Sequence, residues 1–452
     1  MLLDGRVTRA LLALSLTTFL ACSGNAADEE GEDTGSDEGA LGSLPNTVFY
    51  SASRTHSPIA PSVAARLRSV LGDGQRADAF SKIGDSQTVS SLFMHCLTRP
   101  VELGVDAPIG GETLPMTIAA LLGQHRGARS FGRTSLAAKV GAMASFALGG
   151  PLDSEVAQNR PAFAVVMYGS NDIQGAPSGG IETYAKEMLR ITDSLIAQGV
   201  VPILSSPPPR PLRSYDVAAF GSAGADVWVP RYSAVVRGIA QARQVPFVDL
   251  ERELRKLDGL GIGPDQLHLN ASPRGACRFD DDGLRYGMNV RNLVTINALH
   301  RARAATLGKA ADNEAPRIEG QGTPDDPFLP PEVPFTDLRA LGESHTEATN
   351  ASADASCAGQ PTRFVYRFRT SAAQSIRVGF FEGGSRAARL FVREPGGACR
   401  SVERREGALP MSVGEHELVV TSADLPQGAR DSEYLLTVTA DDREQSAADR
   451  PL

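Results

Sequence analysis

Short apolar runs alternate with amphipathic stretches between about Asn46 and Leu307 of this 452-residue chain. Four of the apolar runs read as strands: Ala79 to Ile83, Ala162 to Tyr168, Val200 to Leu204 and Pro246 to Leu250. Each is apolar or β-rich and ends beside Gly, Ser, Asn or Asp. Helical periodicity falls between them, at Leu114 to Leu122, Ser135 to Leu148, Ile181 to Gln198 and Tyr232 to Arg243. A last helix, Gly283 to Ala305, has Asp280, Asp281 and Asp282 at its start and Arg301 and Arg303 near its end, the polarity a helix dipole favours. That accounts for the Asp-Asp-Asp-Gly run without a metal; calcium is the alternative, although the spacing is not that of an EF-hand loop. Strands alternating with helices predict a parallel sheet covered on both faces, a three-layer α/β/α unit over residues 46–308.

The pattern changes after about Ala310. Pro316, Gly320, Gly322, Pro324, Pro327 and Pro330-Pro331 mark a linker over 309–335. Beyond it, short alternating runs at Thr362 to Arg369, Ser375 to Phe381, Ala388 to Arg393, His416 to Thr421 and Tyr434 to Thr439 predict a small all-β sandwich over 336–445.

Composition narrows the class of protein. With 42% hydrophobic and 22% charged residues the chain is globular, and a formal net charge of −8 gives no reason to expect nucleic acid as a partner. At the N-terminus, Arg6 and Arg9 precede an apolar run from Ala10 to Ala21 that is too short to span a bilayer, which reads as an export signal over residues 1–22. It ends Phe19-Leu20-Ala21-Cys22, similar to a bacterial lipobox, which implies a lipid on Cys22 and attachment to the bacterial, outer, membrane or cell surface. The alternative is a plain signal peptide ending near Ala21 or Ala26, and a secreted protein. Residues 23–45 are acidic, rich in Gly and Ser and free of Lys and Arg, a solvated tether. Four cysteines then remain, an even number in an exported chain, which suggests disulfides. Cys96 and Cys277 lie in the α/β region and Cys357 and Cys399 in the C-terminal one, so the expected pairs are 96–277 and 357–399.

Three segments carry chemistry. The first strand runs into Gly84-Asp85-Ser86-Gln87-Thr88, which puts Ser86 at the carboxyl end of a strand and the start of a helix, where open parallel sheets bind ligands. A serine hydroxyl becomes a nucleophile when a base takes its proton and amides stabilise the oxyanion; otherwise Asp85 or Ser86 is simply a helix N-cap. The most apolar strand ends in Tyr168-Gly169-Ser170-Asn171-Asp172. Here Gly169 permits close backbone approach and the Asn171 amide can donate a hydrogen bond without carrying charge, although the same residue types also make ordinary turns. Asp265-Gln266-Leu267-His268 follows the fourth strand, with a carboxylate spaced to orient an imidazole base. None of the seven histidines forms a metal-spaced pair, so neither metal nor cofactor is expected.

In this order and at these strand ends, the motifs resemble those of the SGNH/GDSL hydrolase superfamily over about residues 75–305. The resemblance implies a flavodoxin-like α/β/α fold and an acyl-enzyme mechanism acting on carboxylic esters. It implies Ser86 as nucleophile, Asp265 and His268 as the rest of a triad, and an oxyanion hole from the Ser86 amide, Gly132 and Asn171, with Gly127 as the competitor to Gly132. Gly169 supports Asn171. The C-terminal pattern, with Asp326-Pro327-Phe328, Phe364-Val-Tyr-Arg-Phe and Gly414-Glu-His-Glu-Leu-Val-Val, resembles the bacterial pre-peptidase C-terminal sandwich, an accessory module. No strongly apolar insertion that could serve as a lid interrupts the motifs, which favours short acyl groups such as acetyl on a carbohydrate. A monomer is expected, and the alternative is an inactive carbohydrate- or surface-binding lipoprotein on the same fold.

Overall fold

The computed structural model describes residues 47–99, 108–125, 128–175, 177–211, 224–341, 357, 362–382, 388–393, 398–402, 405–422 and 433–440. The expected export signal, Cys22 and the acidic tether lie outside the described residues. Residues from Thr47 onward belong to one compact unit.

Four parallel strands form the first sheet in the order β1 (Arg76–Gly84), β2 (Pro161–Met167), β3 (Val201–Ser205) and β4 (Phe247–Val248). These are the four strands read from the sequence. Every residue of β2 and β3 is buried, as expected of strands covered on both faces. A fifth position extends the sheet beyond β1: Gly84 bridges in parallel to Ala138, its N–H donating to Ala137 O and its carbonyl accepting from Lys139 N. The chain therefore enters the sheet at β1, steps outward to residue 138 and returns to β2. That reversal creates a crevice at the carboxyl ends of the strands.

Among the described residues the helices, besides a single turn at Ser145–Leu148, are α1 (Pro61–Val70), α2 (Ser86–Val89), α3 (Leu114–Ala120), α4 (Pro151–Asn159), α5 (Ser170–Gly175), α6 (Pro177–Ala197), α7 (Gly224–Arg243), α8 (Leu250–Leu254) and α9 (Gly287–Thr306). One expected helix is corrected. Over Ser135 to Leu148 only Ser145–Leu148 is helical, because residues 137–139 are drawn into the edge of the sheet and Gly141 turns the chain at φ 76°. The last helix starts at Gly287 rather than Gly283: Asp280 Oδ1 accepts from Gly283 N, where a separate 3₁₀ turn, Gly283–Arg285, begins.

The C-terminal region is a sandwich of two antiparallel four-stranded sheets. Its strands are β5 (Phe335–Ala340), β6 (Thr362–Thr370), β7 (Gln374–Glu382), β8 (Ala388–Arg393), β9 (Cys399–Val402), β10 (Arg405–Met411), β11 (Gly414–Ser422) and β12 (Glu433–Ala440). The sheet orders are β9-β8-β11-β6 and β10-β7-β12-β5. Phe364, Tyr366, Val378, Phe380, Leu418 and Leu436 fill the space between them. The sequence periodicity marks five of these strands; β5, β9 and β10 are not legible in it, being short or interrupted by Gly and Pro.

The sandwich is seated on α7. Leu338, Phe381 and Leu435 join the core of the α/β unit. Gln241 Nε2 donates to Thr336 O at 2.8 Å, and the buried Arg243 guanidinium donates both to Asp193 of α6 and to Glu433 of β12. Gly238 is what lets the two surfaces meet, since a Cβ there would lie 2.5 Å from Leu435 Cδ1.

Candidate active site

Ser86 opens α2 directly after β1. Two local features fix that sharp strand-to-helix turn. Gly84 leaves no space for a side chain, since a Cβ would stand 2.3 Å from Met167 O and 2.4 Å from Thr88 Oγ1. Asp85 caps the helix, accepting from Gln87 N at 3.0 Å. The Asp85 carboxyl is fully buried, and burial pushes its pKa up to about 6 against the counteracting charge of Arg291. Arg291, itself buried on α9, donates to Gln87 O and Thr88 Oγ1 and lies over the Phe93 ring. Thus the helix carrying Ser86 is tied from below by a buried cation.

Ser86 Oγ lies 2.9 Å from His268 Nε2, and His268 Nδ1 lies 2.6 Å from Asp265 Oδ2. The other Asp265 oxygen accepts from the backbone N–H of Leu267 and His268, at 3.0 and 2.9 Å, while Gln266 takes φ 57° to close the turn. Desolvation opposes ionisation of Asp265, but the His268 ring and these two amides outweigh it and hold the carboxyl below its ordinary range. With Asp265 accepting, Nδ1 carries the proton and Nε2 presents its lone pair to the serine hydroxyl. The His268 and Asp265 side chains are 44% and 52% exposed, so the cleft is open rather than a tunnel.

Gln87 binds the two motifs to each other. Its buried side chain donates to Leu267 O at 2.9 Å and accepts from Leu269 N at 3.4 Å, grasping the chain on either side of His268. Nothing in the sequence singled out Gln87, because its partners are 180 residues away.

Asn171 follows β2 on α5, and its Nδ2 donates to Ala142 O at 2.9 Å. An amide nitrogen carries two hydrogens, so the bond orients the group and leaves one N–H. Gly169, at φ 128°, has Pro207 against it and donates from its N–H to Asp172 Oδ2. Asp172 Oδ1 accepts from Ala144 N, so one buried carboxyl clamps the Asn171 turn to the loop after residue 138; burial raises this carboxyl to about 6. Tyr168 Oη donates to Ala137 O and closes the same joint.

Gly132, expected to face the oxyanion, has its amide engaged within its own turn. Its N–H donates to Arg129 O at 3.0 Å. Gly127 lies outside the described residues. The glycine that follows the edge position of the sheet is Gly141, one residue before the carbonyl that Asn171 holds, and its N–H has no hydrogen-bond partner among the described residues. Sequence reading passed over it because the segment reads as helix; a β-bridge to Gly84 is what places it.

Cys96–Cys277 and Cys357–Cys399 are both bonded, with Cα–Cα separations of 5.9 and 5.6 Å, as the sequence reading expected. The first joins the segment after α2 to the loop after His268.

Comparison with known proteins follows this geometry. Residues 84–272 match the GDSL-like Lipase/Acylhydrolase family. No curated protein sequence matches the chain. A lipase/acylhydrolase from Enterococcus faecalis superposes with a TM-score of 0.33 at 17% identity, over 49% of this chain and 95% of the other. An acetylxylan esterase from Geobacillus stearothermophilus gives 0.32 at 15% identity, over 50% of this chain and 96% of its own. With Ser86 hydrogen-bonded to the Asp265–His268 turn beyond the carboxyl end of β1, residues 84–272 are a GDSL-like lipase/acylhydrolase domain.

Proposed function

We propose that this esterase domain works through an acyl-enzyme on Ser86, with His268 as general base and acid and Asp265 as its orienting carboxylate. The observation that carries the proposal is the hydrogen-bond chain from Ser86 Oγ through His268 to Asp265, at 2.9 and 2.6 Å. His268 Nε2 takes the hydroxyl proton as Oγ bonds to the ester carbonyl carbon. The C–O bond to the alcohol then breaks and His268 returns the proton to the leaving oxygen. Water repeats the sequence on the acyl-enzyme and releases the acid. For the oxyanion we assign the free amide of Ser86, the remaining Asn171 N–H and the amide of Gly141, in place of Gly132.

The alcohol side of the substrate is read as a carbohydrate and the acyl group as short. Support comes from the open cleft, which leaves room for a bulky polar alcohol, and from the small apolar surface beside Gly141, where Val140 is 65% exposed. We further propose export, followed by lipid attachment at Cys22. Two disulfides support an oxidising compartment, and the Leu20-Ala21-Cys22 sequence supports the lipid.

Hydrolysis of a chain-length series of aryl esters and of acetylated sugars, by wild type and Ser86→Ala, tests the reading. Turnover of acetyl esters that vanishes in Ser86→Ala is expected. Undiminished turnover in that variant would remove Ser86 from the mechanism.

A further inference from the structure

A cavity of about 530 Å³ lies between two short walls, residues 95–99 and 274–278. The first wall follows the helix that carries Ser86, and the second belongs to the loop after His268. The walls are built to stay in place. Cys96–Cys277 joins them covalently, and the buried Asn292 side chain accepts from Met94 N on one side and donates to Ala276 O on the other, at 2.9 Å each. Its volume falls in the range of small-ligand sites.

The charge is what sets this cavity apart. Arg99, Arg274 and Arg278 line it, and no carboxylate does among the described residues, on a chain with a formal net charge of −8. Arg99 has no ion-pair partner among the described residues. Arg274 reaches Asp282 only at 4.0 Å between two exposed side chains, a pairing of little strength in water, whereas Arg278 is paired with Asp280 on the rim. His95, also lining the cavity, is kept toward its neutral form by burial and by the charge of Lys82, which suits it to hydroxyls rather than anions.

Resting on the ester-hydrolase reading, we infer that this cavity binds the carboxylates of an acidic polysaccharide, the alcohol component of the ester that Ser86 cleaves. Guanidinium forks match carboxylates in a bidentate way, and Arg99 and Arg274, one on each wall, suit repeated charges along a sugar chain better than a single anion. The two walls continue from the helix that opens with Ser86 and from the His268 turn, so that bound uronic acid residues bring a neighbouring acyl ester to Ser86.

Binding is measured without turnover by titrating Ser86→Ala protein with polygalacturonate and, separately, with neutral xylan, at low and high salt. The proposal expects polygalacturonate to bind at least tenfold more tightly than xylan, with affinity falling as salt rises. Arg99→Gln/Arg274→Gln should weaken polygalacturonate binding roughly tenfold or more, a loss in keeping with two charge-assisted contacts. In the active protein, the same pair of changes should lower the preference for acetylated polygalacturonate over acetylated xylan by a similar factor. Equal binding of the two polymers, or acidic binding unaltered by the double substitution, overturns the cavity's role while leaving esterase activity intact. Loss of aryl acetate hydrolysis from wild type would instead count against the reaction itself.

Discussion

Gln87 Nε2 donates to Leu267 O at 2.9 Å, so the residue after the proposed nucleophile holds the residue before the proposed base. The contact ties the turn that carries His268 to the helix that opens with Ser86 through one buried side chain. Gln87→Ala should lower kcat for an aryl acetate about a hundredfold with KM little changed, since misplacing a base costs rate more than binding. Gln87→Glu removes the donor and keeps the acceptor, and should fall between the two. A change confined to KM would show that Gln87 does not position the base.

Two glycines distinguish the oxyanion assignments. Gly141 lies at φ 76°, where an L side chain costs about 1–2 kcal/mol, so Gly141→Ala should shift the amide and reduce kcat roughly tenfold. At Gly132 a Cβ would meet only Thr98 Cγ2 at 3.4 Å, so Gly132→Ala should remain within about twofold of wild type. Asn171→Ala should cost about 10²–10³ in kcat. Steady-state kinetics on one short ester ranks all three, and the reverse order for the glycines would restore Gly132.

Arg243 joins the α/β unit to the sandwich. Arg243→Ala removes the buried cation that bridges Glu433 and Asp193 and should destabilise the protein by about 3–5 kcal/mol in urea unfolding. Gly238→Val, which drives a side chain into Leu435, should destabilise it as well. A truncation before Phe335 should expose the apolar face of α7 and yield aggregated protein. A soluble, active truncation would mean that the sandwich is only appended.

Lys82 is buried on β1 and donates to Phe131 O; burial, with Arg291 and Arg133 adding, pushes its pKa from 10.5 down to about 7. Between those values the unfolded chain binds a proton that the folded protein has released, so stability increases as pH rises through this window. The urea midpoint should therefore be higher at pH 9 than at pH 7, and Lys82→Met should flatten the difference. A wild-type midpoint that falls over this interval would contradict a depressed Lys82.

Cys96 and Cys277 are 181 residues apart, so their bond removes a large loop entropy from the unfolded chain. Replacing both by Ser should cost about 4–5 kcal/mol of stability, visible as a lowered Tm. Wild-type Tm under reducing conditions should fall correspondingly.

By itself the sequence determined the class of fold and which residue types stand at its strand ends. Apolar runs of strand length broken by helical periodicity admit a parallel sheet, and Asp265 and His268 lie three residues apart, so a single turn forms their contact. The pairing of cysteines followed from which half of the chain holds them. Relations across long separations were decided only by the tertiary structure. Ser86 meets His268 across 182 residues, Gln87 reaches the same turn, and Gly141 acquires its place because residue 138 bridges Gly84. The misread helix over 135–148 has the same cause: its apolar periodicity is real, but a free sheet edge with unpaired backbone groups claims residues 137–139 first. The close seating of the sandwich on α7 was illegible for a related reason, since Gly238, Gln241 and Arg243 reveal their purpose only beside Leu435, Thr336 and Glu433.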